Sequence, residues 1–193
     1  MVDLQKDGTS QSPAGNRHIT FECSAEVRAL IGDEVFLFET PIIRVNKYGW
    51  RNSRVLVLTQ DSLLVLKQKS KRSKEVRLRR GYEELLGLTI SLHRDSHELV
   101  CHCQMQADVR MSSRGARKEL VDTIKMFYAT KTRQNLPIYG VRQKSLGIYT
   151  TQESDVVKGI SRVPLPLSRL QEEDLVNIEQ LAKRHSEELF DEP

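Results

Sequence analysis

The sequence has no apolar run approaching the roughly 20 residues that a membrane-spanning helix needs. Hydrophobic residues make up only 38% of its 193 residues, so some segments should contribute little to a core. Cysteine is scarce as well: three residues do not make a disulfide framework, and a reducing intracellular compartment is the default expectation. The length suits one domain of ordinary size with extensions.

Recognisable catalytic motifs are also missing. The sequence contains no G-x-S-x-G nucleophile elbow, no phosphate-binding P-loop and no G-x-G-x-x-G. Its five histidines and its carboxylates follow no spacing that would pair them for acid–base chemistry. We therefore expect no enzymatic activity and no cofactor.

One short segment, Cys101-His102-Cys103, suggests a metal site at first sight. Successive side chains of a strand point to opposite faces, so His102 should point away from the two cysteines. Leu99 and Met105 share the cysteine face, where cysteine behaves as a small hydrophobe. C-x-x-C spacing is absent too. We interpret the segment as structural and expect no metal.

Positive charge is abundant, and it is concentrated in the middle of the chain. Residues 41–80 contain twelve lysines and arginines against two acidic residues, a net charge of +10, whereas the whole chain carries +4. Such a field attracts lipid phosphate, nucleic acid or an acidic protein surface. The charge pattern indicates binding rather than catalysis.

Short strands with short connections are predicted through the same region. Apolar alternation and apolar runs predict seven strands, at residues 42–46, 54–59, 62–68, 75–80, 86–92, 97–103 and 107–112. A short helix at 25–31 should precede them, and an amphipathic helix at 114–131 should follow. The run RVLVLT at 54–59 is apolar almost throughout, so both faces of that strand should be covered.

We expect four parts along the chain. Residues 1–22 are polar and predict a disordered leader. Residues 23–134 hold the strands and the two helices, and residues 135–166 lose periodicity and predict extended chain that wraps the surface. Residues 167–193 carry three basic and eight acidic residues and predict an acidic amphipathic helix.

The predicted terminal helix has an apolar stripe that would be exposed to water if the helix had no partner. Its members are Leu170, Ile178, Leu181 and Leu189. The first domain already has its own packing helix at 114–131, and the connection to the terminal helix is long. We therefore expect the terminal helix to dock on a partner protein.

Seven strands followed by one amphipathic helix is the order of a pleckstrin-homology-like (PH-like) barrel, in which the helix plugs an open end. The segments IIRVNK, RVLVLT and ELLGLTIS, at 42–47, 54–59 and 84–91, resemble the lipid-binding tail homology domain of class I myosins. The tags NLPIY at 135–139 and GISRVP at 159–164 are similar to free-standing protist modules. The resemblance implies a mostly β, seven-stranded PH-like barrel with flanking helices, without a motor.

The resemblance also implies peripheral binding to anionic lipid through the first and third inter-strand loops. The site residues would be Lys47, Trp50, Arg51, Arg54, Lys67, Lys69, Lys71, Arg72 and Lys74. Basic side chains on adjacent loops can hold a phosphorylated inositol from two sides, and Trp50 can enter the headgroup layer. The spacing of Lys47, Arg51 and Arg54 departs from that of specific phosphoinositide readers, which favours general anion attraction.

Other interpretations stay open from the sequence. The run KSKRSK at 69–74 is also typical of a solvated surface loop. Nucleic acid is disfavoured, because Tyr48 and Trp50 are too few for a stacking platform. The basic loops also suit an acidic cytoskeletal protein such as tubulin, in a ciliary or flagellar assembly. In either reading we expect a cytoplasmic protein, peripheral to membrane or cytoskeleton.

Overall fold

The computed structural model describes residues 23–46, 48–70, 73–164 and Arg169. Three predicted site residues, Lys47, Lys71 and Arg72, lie outside the described residues. So do the predicted leader and all four residues of the predicted apolar stripe, Leu170, Ile178, Leu181 and Leu189.

Eight strands and three α-helices occur in the described chain. The strands are β1 (Phe36–Val45), β2 (Arg51–Thr59), β3 (Ser62–Ser70), β4 (Ser73–Gly81), β5 (Leu85–Ser91), β6 (Glu98–Cys103), β7 (Val109–Ser112) and β8 (Ile138–Val141). The helices are α1 (Ala25–Ile31), α2 (Arg117–Thr132) and α3 (Glu153–Val157), with short 3-10 turns at Tyr82–Glu84 and Gly147–Tyr149. No helix among the described residues is long and apolar enough to cross a membrane.

The strands form one open sheet in the order β4-β3-β2-β1-β7-β6-β5-β8. Neighbours are antiparallel except for β5 and β8, which are parallel. The seven predicted strands and both predicted helices of the first domain are present. A count of seven is nevertheless wrong, because β8 adds an eighth strand within the segment predicted as extended chain.

The addition of β8 has a clear physical cause. Ile138 and Val141 bury their side chains, and the backbone of this segment satisfies the free edge of β5. The Leu88 N–H donates to the Pro137 carbonyl at 2.9 Å, and the Leu92 N–H donates to the Val141 carbonyl at 2.8 Å. Parallel pairing across about fifty residues of chain leaves no local sequence signal.

Helix α2 closes the concave side of the sheet. Leu120, Val121 and Ile124 are fully buried against a core that draws residues from β1 to β8, including Leu78 of β4 and Leu88 of β5. Strands near both ends of the open sheet therefore curl around a single core. The helix starts at Arg117, three residues later than predicted, since Gly115 has φ +87° and Ala116 is not helical.

The outer face of the sheet is covered in two places. Helix α1 packs Val27 and Ile31 against Val57 of β2 and Leu64 of β3. Farther along the sheet, Leu146 from the segment after β8 packs on Val100 of β6. The coverage predicted for the RVLVLT strand is therefore confirmed: Leu56 and Leu58 face the core, and Val57 faces α1.

Candidate anion-binding site

The β1–β2 hairpin presents two aromatic rings at its tip. The Asn46 carboxamide oxygen accepts the N–H groups of Tyr48, at 3.0 Å, and Trp50, at 2.9 Å. Gly49 supplies the left-handed residue of the turn, with φ +80°. Tyr48 and Trp50 are each 70% exposed, and their ring centroids lie 6.0 Å apart. The hairpin therefore carries an exposed aromatic tip whose backbone is held by the Asn46 side chain.

Arg51 lies on the outer face of this hairpin, beside a groove. In the β1–β2 ladder Arg51 is paired with Val45, and Ser53 is paired with Ile43, which also pairs with Ser112 of β7. The turn between β5 and β6 and the residues after β7 complete the walls. The groove has a volume of about 660 Å³ and is lined by Pro41, Ile42, Ile43, Arg51, Ser53, Arg94, Asp95, His97, Ser112 and Arg114. We call it the outer groove.

The outer groove has an excess of positive charge. Three arginines and one histidine line it against a single acidic residue, Asp95. The Asp95 carboxylate is itself shared, lying 3.7 Å from Arg94 Nε and 3.7 Å from Lys144 Nζ. Within the described chain, Arg51 and Arg114 have no ion pair. Planar guanidinium groups in such a groove are suited to bind phosphate or carboxylate oxygens in pairs.

Arg54 belongs to a different group on the inner face of the hairpin. It is paired with Ile42, whose side chain joins the core, so it faces inward together with Arg44. Arg80 approaches the same place from β4, and Arg54 and Arg80 each have a buried Nε without a hydrogen-bond partner among the described residues. Burial, and then the charges of Arg54 and Arg80, lower the pKa of Arg44. We call these three residues the inner arginine cluster.

Two of the three predicted site residues that the structure describes in the β3–β4 hairpin are paired with acidic residues of the sheet. Lys69 lies 3.2 Å from Glu75, and Lys74 lies 3.1 Å from Glu39. The hydrogen bond from Lys69 lowers the pKa of Glu75. Lys67 is half-buried. None of the described residues of β3 and β4 lines the outer groove, so the structure does not bring the two basic hairpins together there.

Three members of the outer groove were not among the predicted site residues: Arg94, His97 and Arg114. They come from the β5–β6 turn and from the residue pair after β7, far from Arg51 in sequence. The pairings of β1 with β7 and of β7 with β6 bring them beside the first hairpin. The sequence carries no local signal for this arrangement, because Arg94, His97 and Arg114 are polar residues of the kind that is common in turns.

The side chains of the Cys-His-Cys segment alternate between the two faces of β6, as predicted. Cys101 and Cys103 lie in the core, and burial raises the pKa of Cys103 to about 12. His102 points to the other face, with Nδ1 2.8 Å from Asp108 and Nε2 2.6 Å from Thr89. Among the residues that the structure describes, no three His, Cys, Asp or Glu side chains are grouped to hold a metal ion.

Comparison with known proteins gives distant likenesses. No protein-family model matches the sequence, and no curated protein matches it. The solved PH domain of Slm1 with inositol 4-phosphate is 14% identical, with a TM-score of 0.41, and the match covers 48% of this chain and 96% of that chain. The hSac2 domain of the human phosphoinositide phosphatase Sac2 is 11% identical, with a TM-score of 0.46 and coverage of 65% and 94%.

A fragment of p115-RhoGEF containing linker, DH and PH domains is 10% identical, with a TM-score of 0.44. The match covers 51% of this chain, which spans 30% of that fragment. At these TM-scores the likenesses assign neither a ligand nor a partner to this chain.

Proposed function

We propose that this chain is a non-enzymatic, peripheral binding module for phosphate-bearing anionic membranes. The observation that carries the proposal is the outer groove, with three arginines and one acidic residue, beside the exposed Tyr48–Trp50 tip. In this arrangement the aromatic tip enters the headgroup layer while Arg51, Arg94 and Arg114 bind phosphate. We further infer a PH-like module related to the myosin I tail homology domain, which the strand order and the motifs at 42–59 and 84–91 support.

The size and charge of the groove suit a single headgroup. Its volume of about 660 Å³ falls within the ~300–1,000 Å³ of small-molecule sites. Each basic residue near an anionic bilayer contributes about 1 kcal/mol. The three arginines should together strengthen membrane binding by on the order of a hundredfold. An inositol phosphate headgroup, which offers several anionic oxygens, is the ligand class that best uses three guanidinium groups.

Sedimentation with vesicles tests this function directly. The full chain should sediment with phosphatidylcholine vesicles that contain a phosphorylated phosphatidylinositol, and binding should weaken as salt rises. The triple variant R51Q/R94Q/R114Q should lose most of this binding. The matched variant R28Q/K118Q/K158Q removes three charges from exposed positions that do not line the groove, and it should bind like the wild type.

Two results would contradict the proposal. One is equal loss of binding in both triple variants, which would mean that net charge alone drives association. The other is stronger sedimentation with microtubules than with the vesicles, lost in R51Q/R94Q/R114Q. That second outcome would assign the groove to an acidic cytoskeletal protein.

A further inference from the structure

A second cavity lies at the end of the sheet where the β1–β2 and β6–β7 hairpins turn. Its volume is about 440 Å³, and it shares no lining residue with the outer groove. One wall comes from the first hairpin, with Arg44, Asn46 and Tyr48. The opposite wall comes from the segment after β8, with Glu153 and Ser154 of α3. We call it the mouth cavity.

The first wall is positive through Arg44, the one basic side chain among the described residues that line the mouth cavity. Arg44 is half-buried and is backed by the other two members of the inner arginine cluster. Within the described chain, no carboxylate lies within ion-pair distance of the Arg44 guanidinium. Across the cavity, the charge of Glu153 raises the pKa of Arg44, against the larger lowering by burial and by Arg54 and Arg80. A half-buried cation without an ion pair is costly, so an anionic ligand at this wall would be favoured.

The opposite wall carries one available carboxylate, Glu153. Its side chain is exposed and has no ion pair or hydrogen bond among the described residues. Asp108 also lines the cavity, but its oxygens already accept the N–H groups of Cys103 at 3.0 Å and Thr151 at 2.8 Å, and one lies 2.8 Å from His102. Glu153 is therefore the carboxylate that a ligand could engage.

The backbone on both sides of Glu153 is held in place by hydrogen bonds and an ion pair of the neighbouring residues. The Thr151 N–H donates to Asp108, and the Asp108 N–H donates to the Thr151 carbonyl at 2.9 Å. Asp155 accepts the Gln152 N–H at 3.0 Å and pairs with Arg162 at 2.7 Å. The negative wall is thus held in place facing the hairpin.

We propose that the mouth cavity binds a small zwitterionic phosphate group, in which an ammonium lies a few atoms from the phosphate. The phosphate binds Arg44 and the ammonium binds Glu153. The phosphoethanolamine group has this chemistry, and a phosphoserine headgroup has it with a carboxylate added beside the ammonium. A polyanion would be repelled by Glu153, and a simple amine would be repelled by the three arginines, so a ligand with both charges suits the two walls best.

The test uses two soluble ligands that differ only in the ammonium. Phosphoethanolamine and propyl phosphate are titrated into the full chain by calorimetry. The wild type should bind phosphoethanolamine about fivefold more tightly, the size expected for one exposed charge pair. E153Q should lose this preference, because Glu153 is the partner of the ammonium, whereas its binding of propyl phosphate should stay equal or improve. R44Q should weaken both ligands.

Vesicles distinguish a lipid headgroup from a free phosphate compound. Preference for phosphatidylserine over phosphatidic acid at equal mole fraction, lost in E153Q, would identify the lipid. Preference for phosphoethanolamine in solution without a vesicle preference would identify a soluble ligand. Equal binding of both soluble ligands by the wild type, or an unchanged preference in E153Q, would overturn the proposal.

This test is independent of the proposed membrane function. The variant R51Q/R94Q/R114Q leaves every residue of the mouth cavity in place, so it should keep the preference for the zwitterion even where vesicle binding is lost. Glu153 is exposed, so E153Q should fold normally, which circular dichroism can verify. If the proposal for the outer groove fails, vesicle binding does not depend on its arginines. If the proposal for the mouth cavity fails, the preference for the zwitterion is absent or does not depend on Glu153.

Discussion

At the scale of single residues, position on a strand decides the role of each basic side chain. Arg51 and Arg54 are three residues apart on β2, an odd separation, so they point to opposite faces of the sheet. One enters the outer groove and the other joins the inner arginine cluster. Lys69 and Lys74 are instead neutralised by Glu75 and Glu39. The net charge of a segment therefore overstates the charge that a ligand meets.

The clearest residue-scale prediction concerns the core. Leu120 is fully buried where α2 closes the concave side of the sheet. Leu120→Ala should lower the free energy of unfolding by ~2–5 kcal/mol, through lost burial and the cavity left behind. Urea denaturation monitored by circular dichroism measures this change. The exposed neighbour Lys118→Ala serves as the control and should change stability little. A loss below 1 kcal/mol in Leu120→Ala would contradict the packing described for α2.

At the scale of elements, the segment after β8 is held to the domain by a few polar contacts. It continues from the edge strand β8, packs Leu146 on β6 and places α3 beside the first hairpin. The Leu146 N–H donates to the buried Glu98 carboxylate at 2.9 Å, and Arg110 binds that same carboxylate through Nε and Nη2. Such contacts join distant parts of the chain, so local sequence patterns do not reveal them.

Acid should loosen the α3 region only at very low pH. The hydrogen bond from Arg162 lowers the pKa of Asp155 to about 2, below its ordinary value of 3.8. Because the folded pKa is lowered, this contact stabilises the protein above the ordinary pKa and is lost as the pH falls through about 2. The Ile160 N–H, which donates to the Asp155 carbonyl, should therefore stay protected from exchange at pH 4.

Arg162→Gln removes the largest cause of that pKa shift. In this variant, protection of the Ile160 N–H should weaken already near pH 4, as measured by amide exchange in NMR spectra. The Leu120 N–H, which donates to the Ala116 carbonyl at the start of α2, is an internal reference that should not respond. If exchange of the Ile160 N–H depended on pH in the same way in the wild type and in Arg162→Gln, Asp155 would not hold this segment.

At the scale of the whole molecule, most of the fold was predictable and most of the candidate site was not. Alternation and apolar runs located β1 to β7, and the helical stripe located α2, because these signals are local. The parallel strand β8 depends on pairing between distant segments. So does the outer groove, which brings together Arg51, Arg94 and Arg114. Exposure of Trp50 was inferred from its turn, whereas the carboxylates that neutralise Lys69 and Lys74 depend on strand register.

The central claim is that the outer groove, rather than the β3–β4 hairpin, receives the phosphate groups of a membrane. An NMR titration of the ¹⁵N-labelled full chain with a soluble inositol phosphate tests it most directly. The largest shift changes should fall on the backbone amides of residues 51–53, 94–97 and 112–114. Changes confined to residues 67–70 and 73–77, with the groove amides unmoved, would contradict the account.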